Sequence, residues 1–366
     1  MKHTALTTPD EIYMQRCLQL AALAQGRTSP NPMVGSVIVY KDKIIGEGYH
    51  HYAGAPHAEV MAWRSVPEEL RGVIGEATWY VSLEPCAHYG KTPPCAELIA
   101  GLRPARVVIA MLDPFAKVDG RGVACLREAG IEVSVGCLEQ EAIALNRHFL
   151  VAQTLGRPYV TLKWAESADH YIDRLRHDAS EAPYIFSSPL RQRSVHRLRA
   201  LHDAILVGHH TAELDDPLLT NRSGSGGQPI RLLWCHSRLP RPELRMLQDA
   251  TAPTIILLPP ALLEQVRDGQ YPPHVSCLAT TGAVRDLLTL LRSQGIESLL
   301  VEGGAQVLQR FLDSGLYDEL NVEHAPVQLH DGVPAPNVSL APHDADHRNA
   351  DRRNAHLVHP DGLTHQ

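Results

Sequence analysis

Four residues define the chemistry open to this chain: His57 and Glu59 in the run His57-Ala58-Glu59, then Cys86 after Pro85, then Cys95. One imidazole and two thiolates are a donor set that Zn²⁺ takes in a tetrahedral shell, and a catalytic zinc keeps one position for water. Two thiolates cancel the charge of the ion, and its water loses a proton near neutral pH. Glu59 can then do what a ligand could not: take that proton and pass it to a substrate's ring nitrogen and leaving amine. A lone Cys is more often a small buried hydrophobe. The ordered set, in strand and helix context, is what separates the metal reading from coincidence.

The local elements suit this chemistry. Ala58 to Trp63 reads as a helix with His57 and Glu59 in its first turn, where an acidic residue also complements the helix dipole. Thr78 to Leu83 reads as a buried strand. It leaves Pro85-Cys86 at its end, where a helix could begin and aim backbone N–H groups at a thiolate. Zinc deaminases carry H-x-E…P-C-x-x-C. Here the two cysteines stand nine positions apart, and the residues between them read as a loop rich in turn formers.

The rest of the first half alternates. A helix starting at Asp10 carries the stripe Met14, Cys17, Leu18 and Ala21 and ends at Gln25-Gly26. Met33–Tyr40 and Ile44–His50 form a hairpin across Lys41-Asp42-Lys43. Helices are expected over Cys95–Leu102 and Gly122–Ala129, and strands over Arg106–Leu112 and Ile131–Val135. A long helix over Leu138–Thr154 leads out of the domain, and Gly156-Arg157-Pro158 marks the boundary.

In the second half, strands are expected at Tyr159–Ala165, Ala204–Gly208, Ile230–Trp234, Thr254–Leu258 and Ser298–Val301. Helices are expected at Pro189–Asp203, capped by Ser187-Ser188, at the stripe Val284, Leu287, Leu288 and Leu291, and at Gln306–Leu316. Strands alternating with helices give an α/β layered fold in both halves. The domains are read as 1–154 and 158–340. The polar tail 341–366 is expected to be mobile, with an edge strand near His356–Thr364 weakly marked.

Composition narrows the function classes. A chain of 366 residues is long for one domain, and a hydrophobic share of 44% can bury real cores. A net charge of -7 without a basic stripe, and 5% aromatics, argue against nucleic-acid partners. Seven cysteines, set mostly in apolar patterns rather than at framework spacings, fit a reducing compartment. The first twelve residues lack the apolar core of a signal peptide, and apolar runs such as Thr254–Leu263 are too short to span a bilayer. The expectation is a cytoplasmic enzyme of a small molecule. Homo-oligomerisation is left open.

The motifs Pro30-Asn31-Pro32-Met33-Val34-Gly35, Gly46-Glu47-Gly48-Tyr49-His50, Gly54-Ala55-Pro56-His57-Ala58-Glu59 and Pro85-Cys86 through Thr92-Pro93-Pro94-Cys95 closely resemble the bifunctional riboflavin-biosynthesis deaminase–reductase family. The long loop between the cysteines is a mark of that family. The resemblance implies a cytidine-deaminase-like three-layer domain followed by a dihydrofolate-reductase-like domain. It implies hydrolytic deamination of a phosphoribosylated diaminohydroxypyrimidine, with Asn31, His50 and Lys91 holding that substrate. On their own residue types, Asn31 between prolines could equally form a turn, and Lys91 could be a solvated loop charge.

In the second half the resemblance runs through Leu162-Lys163-Trp164-Ala165, Leu198-Arg199-Ala200, Asp203 to Gly208, Asp215-Asp216-Pro217 and Val301-Glu302-Gly303-Gly304. It implies NADPH-dependent reduction of the ribosyl group to ribityl. Arg199, Leu219, Arg222 and Glu302 would face the substrate, and Ala165, Thr211, Asp215 and Gly304 would line the NADPH site. A strand running into Gly303-Gly304 and a helix is itself a reasonable pyrophosphate cradle, although such pairs are often plain turns. No G-x-G-x-x-G is present, so a Rossmann domain is not indicated. Arg199 and Arg222 could clamp a phosphate or simply form salt bridges.

The chain departs from the common pattern at His170 in Ser167-Ala168-Asp169-His170, where many relatives have glycine, at Tyr184-Ile185 and at Cys235-His236. A deaminase whose second half has lost reduction is therefore the alternative. A nucleic-acid base deaminase and a module in which zinc serves folding alone are the further competitors.

Overall fold

A computed structural model describes residues 8–89, 93–114, 120–224 and 226–338. Lys91, the tail 341–366 and the strand expected near its end lie outside the described residues. The chain divides into two compact units between Gly156 and Arg157.

In the first unit the order is α1 (Pro9–Ala22), β1 (Gly35–Tyr40), β2 (Lys43–Tyr49), α2 (Ala58–Ser65), a 3-10 helix (Glu68–Glu76) and β3 (Thr78–Val81). It continues with α3 (Cys95–Leu102), β4 (Arg106–Ile109), α4 (Arg121–Glu128), β5 (Glu132–Val135), α5 (Glu139–Leu145) and α6 (Arg147–Thr154). The sheet runs β2-β1-β3-β4-β5, with β1 antiparallel to β2 and β3 and the last three strands parallel. Strand side chains alternate between two cores. Ile38, Trp79, Val81, Val107 and Ile109 pack with residues of α2, α3 and α4. Val37, Val39, Tyr80 and Val108 pack with the α1 stripe. The result is a helix–sheet–helix sandwich.

The hairpin turns on Lys41 and Asp42, both at positive φ (47° and 60°), the backbone that two-residue hairpins need. A box of mutual hydrogen bonds between Thr8 and Glu11 fixes the start of α1.

The single helix expected over Leu138–Thr154 is two, broken at Asn146. Asn146 is 2% exposed, accepts the Met33 N–H at 2.8 Å and donates to the Met33 carbonyl at 2.9 Å. A tertiary contact thus overrides the helical period, and α6 begins afresh.

The second unit comprises β6 (Tyr159–Glu166), β7 (Tyr171–Asp173), α7 (Pro189–Ala200), β8 (Ala204–Gly208), α8 (His209–Asp215), β9 (Ile230–Trp234), α9 (Arg245–Gln248) and β10 (Thr254–Leu258). It ends with α10 (Pro260–Leu263), β11 (Val275–Ala279), α11 (Val284–Ser293), β12 (Ser298–Gly303), α12 (Ala305–Ser314), β13 (Glu319–His324) and β14 (Val333–Pro334). Seven strands form one sheet in the order β11-β10-β9-β8-β12-β6-β13, every described pair parallel. Its inner strands are buried on both faces, against α11 and α12 on one side and α8 and α9 on the other, while the edge strands β11 and β13 are partly exposed. The helix expected to reach Asp203 stops at Ala200; Ser188 caps its start by accepting the Arg191 N–H.

Candidate active sites

Three elements bring the first-unit residues together. His57 is the N-cap of α2, Glu59 lies in its first turn, and Cys95 is the first residue of α3. Helix α2 lies directly on β2: a Cβ at Gly48 would come within 2.5 Å of the Ala62 nitrogen, so only glycine allows this approach.

Cys86 follows β3 in a loop, and no helix begins there. The N–H aimed at its sulfur belongs instead to Cys95, 3.3 Å away at the head of α3. The thiolate-stabilising helix end therefore comes from the second cysteine.

His57 Nδ1 lies 3.3 Å from Cys95 Sγ and 3.6 Å from Cys86 Sγ. The three ligand atoms all fall within 4.8 Å of one another, a spacing that one ion could bridge. A hydrogen bond from Cys95, with help from His57, holds the Cys86 thiol down at about 4, and the same bond with burial pushes Cys95 up. Donor chemistry and spacing fit zinc. Glu59 is buried, and burial raises its carboxyl to about 7.

His57, Glu59 and Cys86 line a cavity of about 250 Å³. Asn31 and His50 line it too. His50 Nδ1 faces the Pro56 carbonyl at 3.1 Å, so it carries the proton, and Nε2 accepts from Asn31 Nδ2 at 3.0 Å. Burial lowers the pKa of His50, in keeping with a neutral ring. The cavity also takes in Glu84, Asp113, Phe149 and Gln153, which sequence reasoning missed. Glu84 had one signal, a carboxylate at a buried strand end beside Pro85-Cys86. Asp113, Phe149 and Gln153 had none, because β4 and the break before α6 place them.

In the second unit Arg199 and Glu302 are already paired: Nε to Oε1 at 2.9 Å and Nη2 to Oε2 at 2.6 Å, while Nη1 donates to the Thr220 carbonyl. Of the two roles open to Arg199, the structure shows its fork on Glu302. Leu219 is buried at positive φ, and Arg222 is exposed, its N–H on His196. Gly304 opens α12 at φ 74°, and a Cβ there would meet Thr211 Oγ1 at 3.0 Å. Thr211 and Gly304 therefore share one spot. Asp215 is ion-paired with Arg176, and Ala165 is half-buried on β6, opposite Glu323.

Comparison with known proteins decides the family. Residues 158–336 match the RibD C-terminal domain, and residues 7–111 match the cytidine and deoxycytidylate deaminase zinc-binding region. The riboflavin biosynthesis protein RibD of Aquifex aeolicus is 39% identical over 88% of this chain and 89% of its own length.

The chain belongs to the RibD family.

RibD of Escherichia coli strain K12 is also 39% identical, over 87% of this chain and 88% of its own. The crystal structure of a diaminohydroxyphosphoribosylaminopyrimidine deaminase/5-amino-6-(5-phosphoribosylamino)uracil reductase from Thermotoga maritima superposes with a TM-score of 0.81. It is 35% identical and covers 91% of this chain and 93% of that one. The fold is thus α/β, a cytidine-deaminase-like unit followed by a dihydrofolate-reductase-like RibD unit. The protein is a bifunctional riboflavin-biosynthesis enzyme with deaminase and reductase halves, not a deaminase alone. Among the described residues, no helix is long and apolar enough to cross a membrane.

Proposed function

We propose that the first unit deaminates the phosphoribosylated diaminohydroxypyrimidine at the His57–Cys86–Cys95 cluster, and that the second reduces the product's ribosyl group to ribityl with NADPH. The clustering of His57, Cys86 and Cys95, beside a cavity that His57, Cys86 and buried Glu59 line, carries this reading. Zinc held there supplies Lewis acidity for attack by water. Glu59 takes one proton of the attacking water to the ring nitrogen, then carries the second, from the hydroxyl of the tetrahedral adduct, to the amine, so that the C–N bond breaks, the carbonyl forms and ammonia leaves. A carboxyl that burial brings near neutrality suits both halves of that transfer. Asn31 and His50 hold the substrate edge as a fixed donor–acceptor pair, and Lys91 adds a point charge.

In the reductase, Arg222 meets the substrate phosphate and Leu219 faces the substrate, while Arg199, whose fork is on Glu302, sets that carboxylate beside the sugar. NADPH would lie at the C-terminal edge of the parallel sheet; the helix of ten residues that Gly304 opens there supports that reading. Thr211, Gly304, Ala165 and Asp215 would hold it there, and it supplies the hydride. Both steps act on a small molecule in the cytosol.

Metal analysis with an ammonia-release assay tests the first half. Glu59→Gln should keep zinc and lose turnover by about 10²–10⁴-fold. Full activity in that variant would remove Glu59 from the reaction. NADPH oxidation with deaminated substrate supplied tests the second half.

A further inference from the structure

The geometry points to Glu84 as a positioning residue of the deaminase, one that locks the loop carrying Cys86 to the pocket wall at Asp113. Glu84 is 3% exposed and stands two residues before Cys86. Its Oε2 accepts the N–H of Asp113 at 3.3 Å and of Gly120 at 3.0 Å, and its Oε1 accepts the N–H of Val123 at 3.1 Å. Its own N–H donates to the Met111 carbonyl at 3.0 Å. One residue therefore binds the exit of β4 and the first turn of α4 together.

Helix α4 needs this help. Its N-cap is Gly120, which offers no side chain, and a carboxylate from another segment takes the place of a capping residue. The second contact is steric. A Cβ at Gly122 would lie 2.2 Å from the Pro85 carbonyl oxygen and 3.1 Å from Glu84 Cγ. The head of α4 thus rests on the backbone that leads into Cys86.

A plain helix cap would sit anywhere on the surface. This one lies in the cavity wall: Glu84 and Asp113 face the same space as His57, Glu59 and Cys86. The reacting groups hang from α2 and the Cys86 loop, whereas Asp113 hangs from β4. A substrate touching both needs their separation fixed, and displacement of one wall costs binding before it costs chemistry. The inference rests on His57, Cys86 and Cys95 being the zinc ligands.

Full-length Glu84→Gln keeps the shape but turns one accepting oxygen into an amide NH₂ facing N–H donors. Zinc per chain, melting temperature, NADPH oxidation, and KM and kcat for ammonia release are measured together. KM should rise about tenfold with kcat within about threefold of the parent, zinc and reduction unchanged. Glu84→Asp, a carboxylate one methylene short, should fall between, and it decides the matter if the glutamine variant does not fold. An unchanged KM with a lower melting temperature makes Glu84 a cap and overturns the proposal. Zinc loss in step with activity overturns it as well, because Glu84 would then act through the ligand. A parent enzyme without zinc refutes the ligand reading instead, and that outcome is read before any variant is made.

Discussion

Burial alone would push the Glu302 carboxyl up, yet the charge and paired hydrogen bonds of Arg199 outweigh it and hold the group below its ordinary 4.5. A depressed carboxyl contributes stability above its unfolded pKa and loses it as pH falls through the folded value. The reductase half should therefore weaken on acidification below about pH 4.5, the ordinary value of this carboxyl, in a melt followed across pH. Arg199→Ala strands a buried charge and should cost about 3–5 kcal/mol at neutral pH. Arg199→Ala with Glu302→Gln should recover much of that loss, which a double-mutant cycle measures. His170, the departure from glycine, takes the same backbone that glycine would, at φ 62°, with its ring 2.8 Å from Glu166. The main chain is accommodated there without its usual residue.

Helix ends decide more of this molecule than helix middles. Asn146 ends α5 by closing two bonds on Met33, so Asn146→Ala should leave a half-buried N–H and carbonyl unmatched and cost about 1–3 kcal/mol in a denaturant titration. A result within 0.5 kcal/mol, roughly the scatter of neutral surface changes, would mean that water replaces the side chain. The same logic explains what the sequence made readable. The stripe Val284, Leu287, Leu288 and Leu291 appears as expected because one-sided burial leaves a helical period, and the run Ala204–Gly208 because burial on both faces leaves an unbroken apolar stretch. The type and order of His57, Glu59, Cys86 and Cys95 likewise carry their chemistry openly. Strand β13 left only a short trace, Leu320 and Val322 between polar residues, and its six residues are all half-buried. Helix α8 is short, and no side chain caps its start. Glu84 and Asp113 gain their meaning from backbone donors and strand ends that only the folded chain brings together.

At the scale of the whole molecule the two chemistries belong to separate compact units, and they should fail separately. Removing zinc with a chelator should abolish ammonia release and leave NADPH oxidation on deaminated substrate near its starting rate. Joint loss of both activities would show that the metal supports the entire chain. The order of strands in the second unit has a further consequence. Its first strand, β6, is clasped between β12 and β13, the last two of the sheet. On the ribosome, then, Tyr159 to Glu166 must wait for both neighbours until some 150 later residues have emerged, whereas the hairpin of the first unit can close at once. Synthesis would finish the deaminase early and leave the reductase an open sheet until almost the last strand.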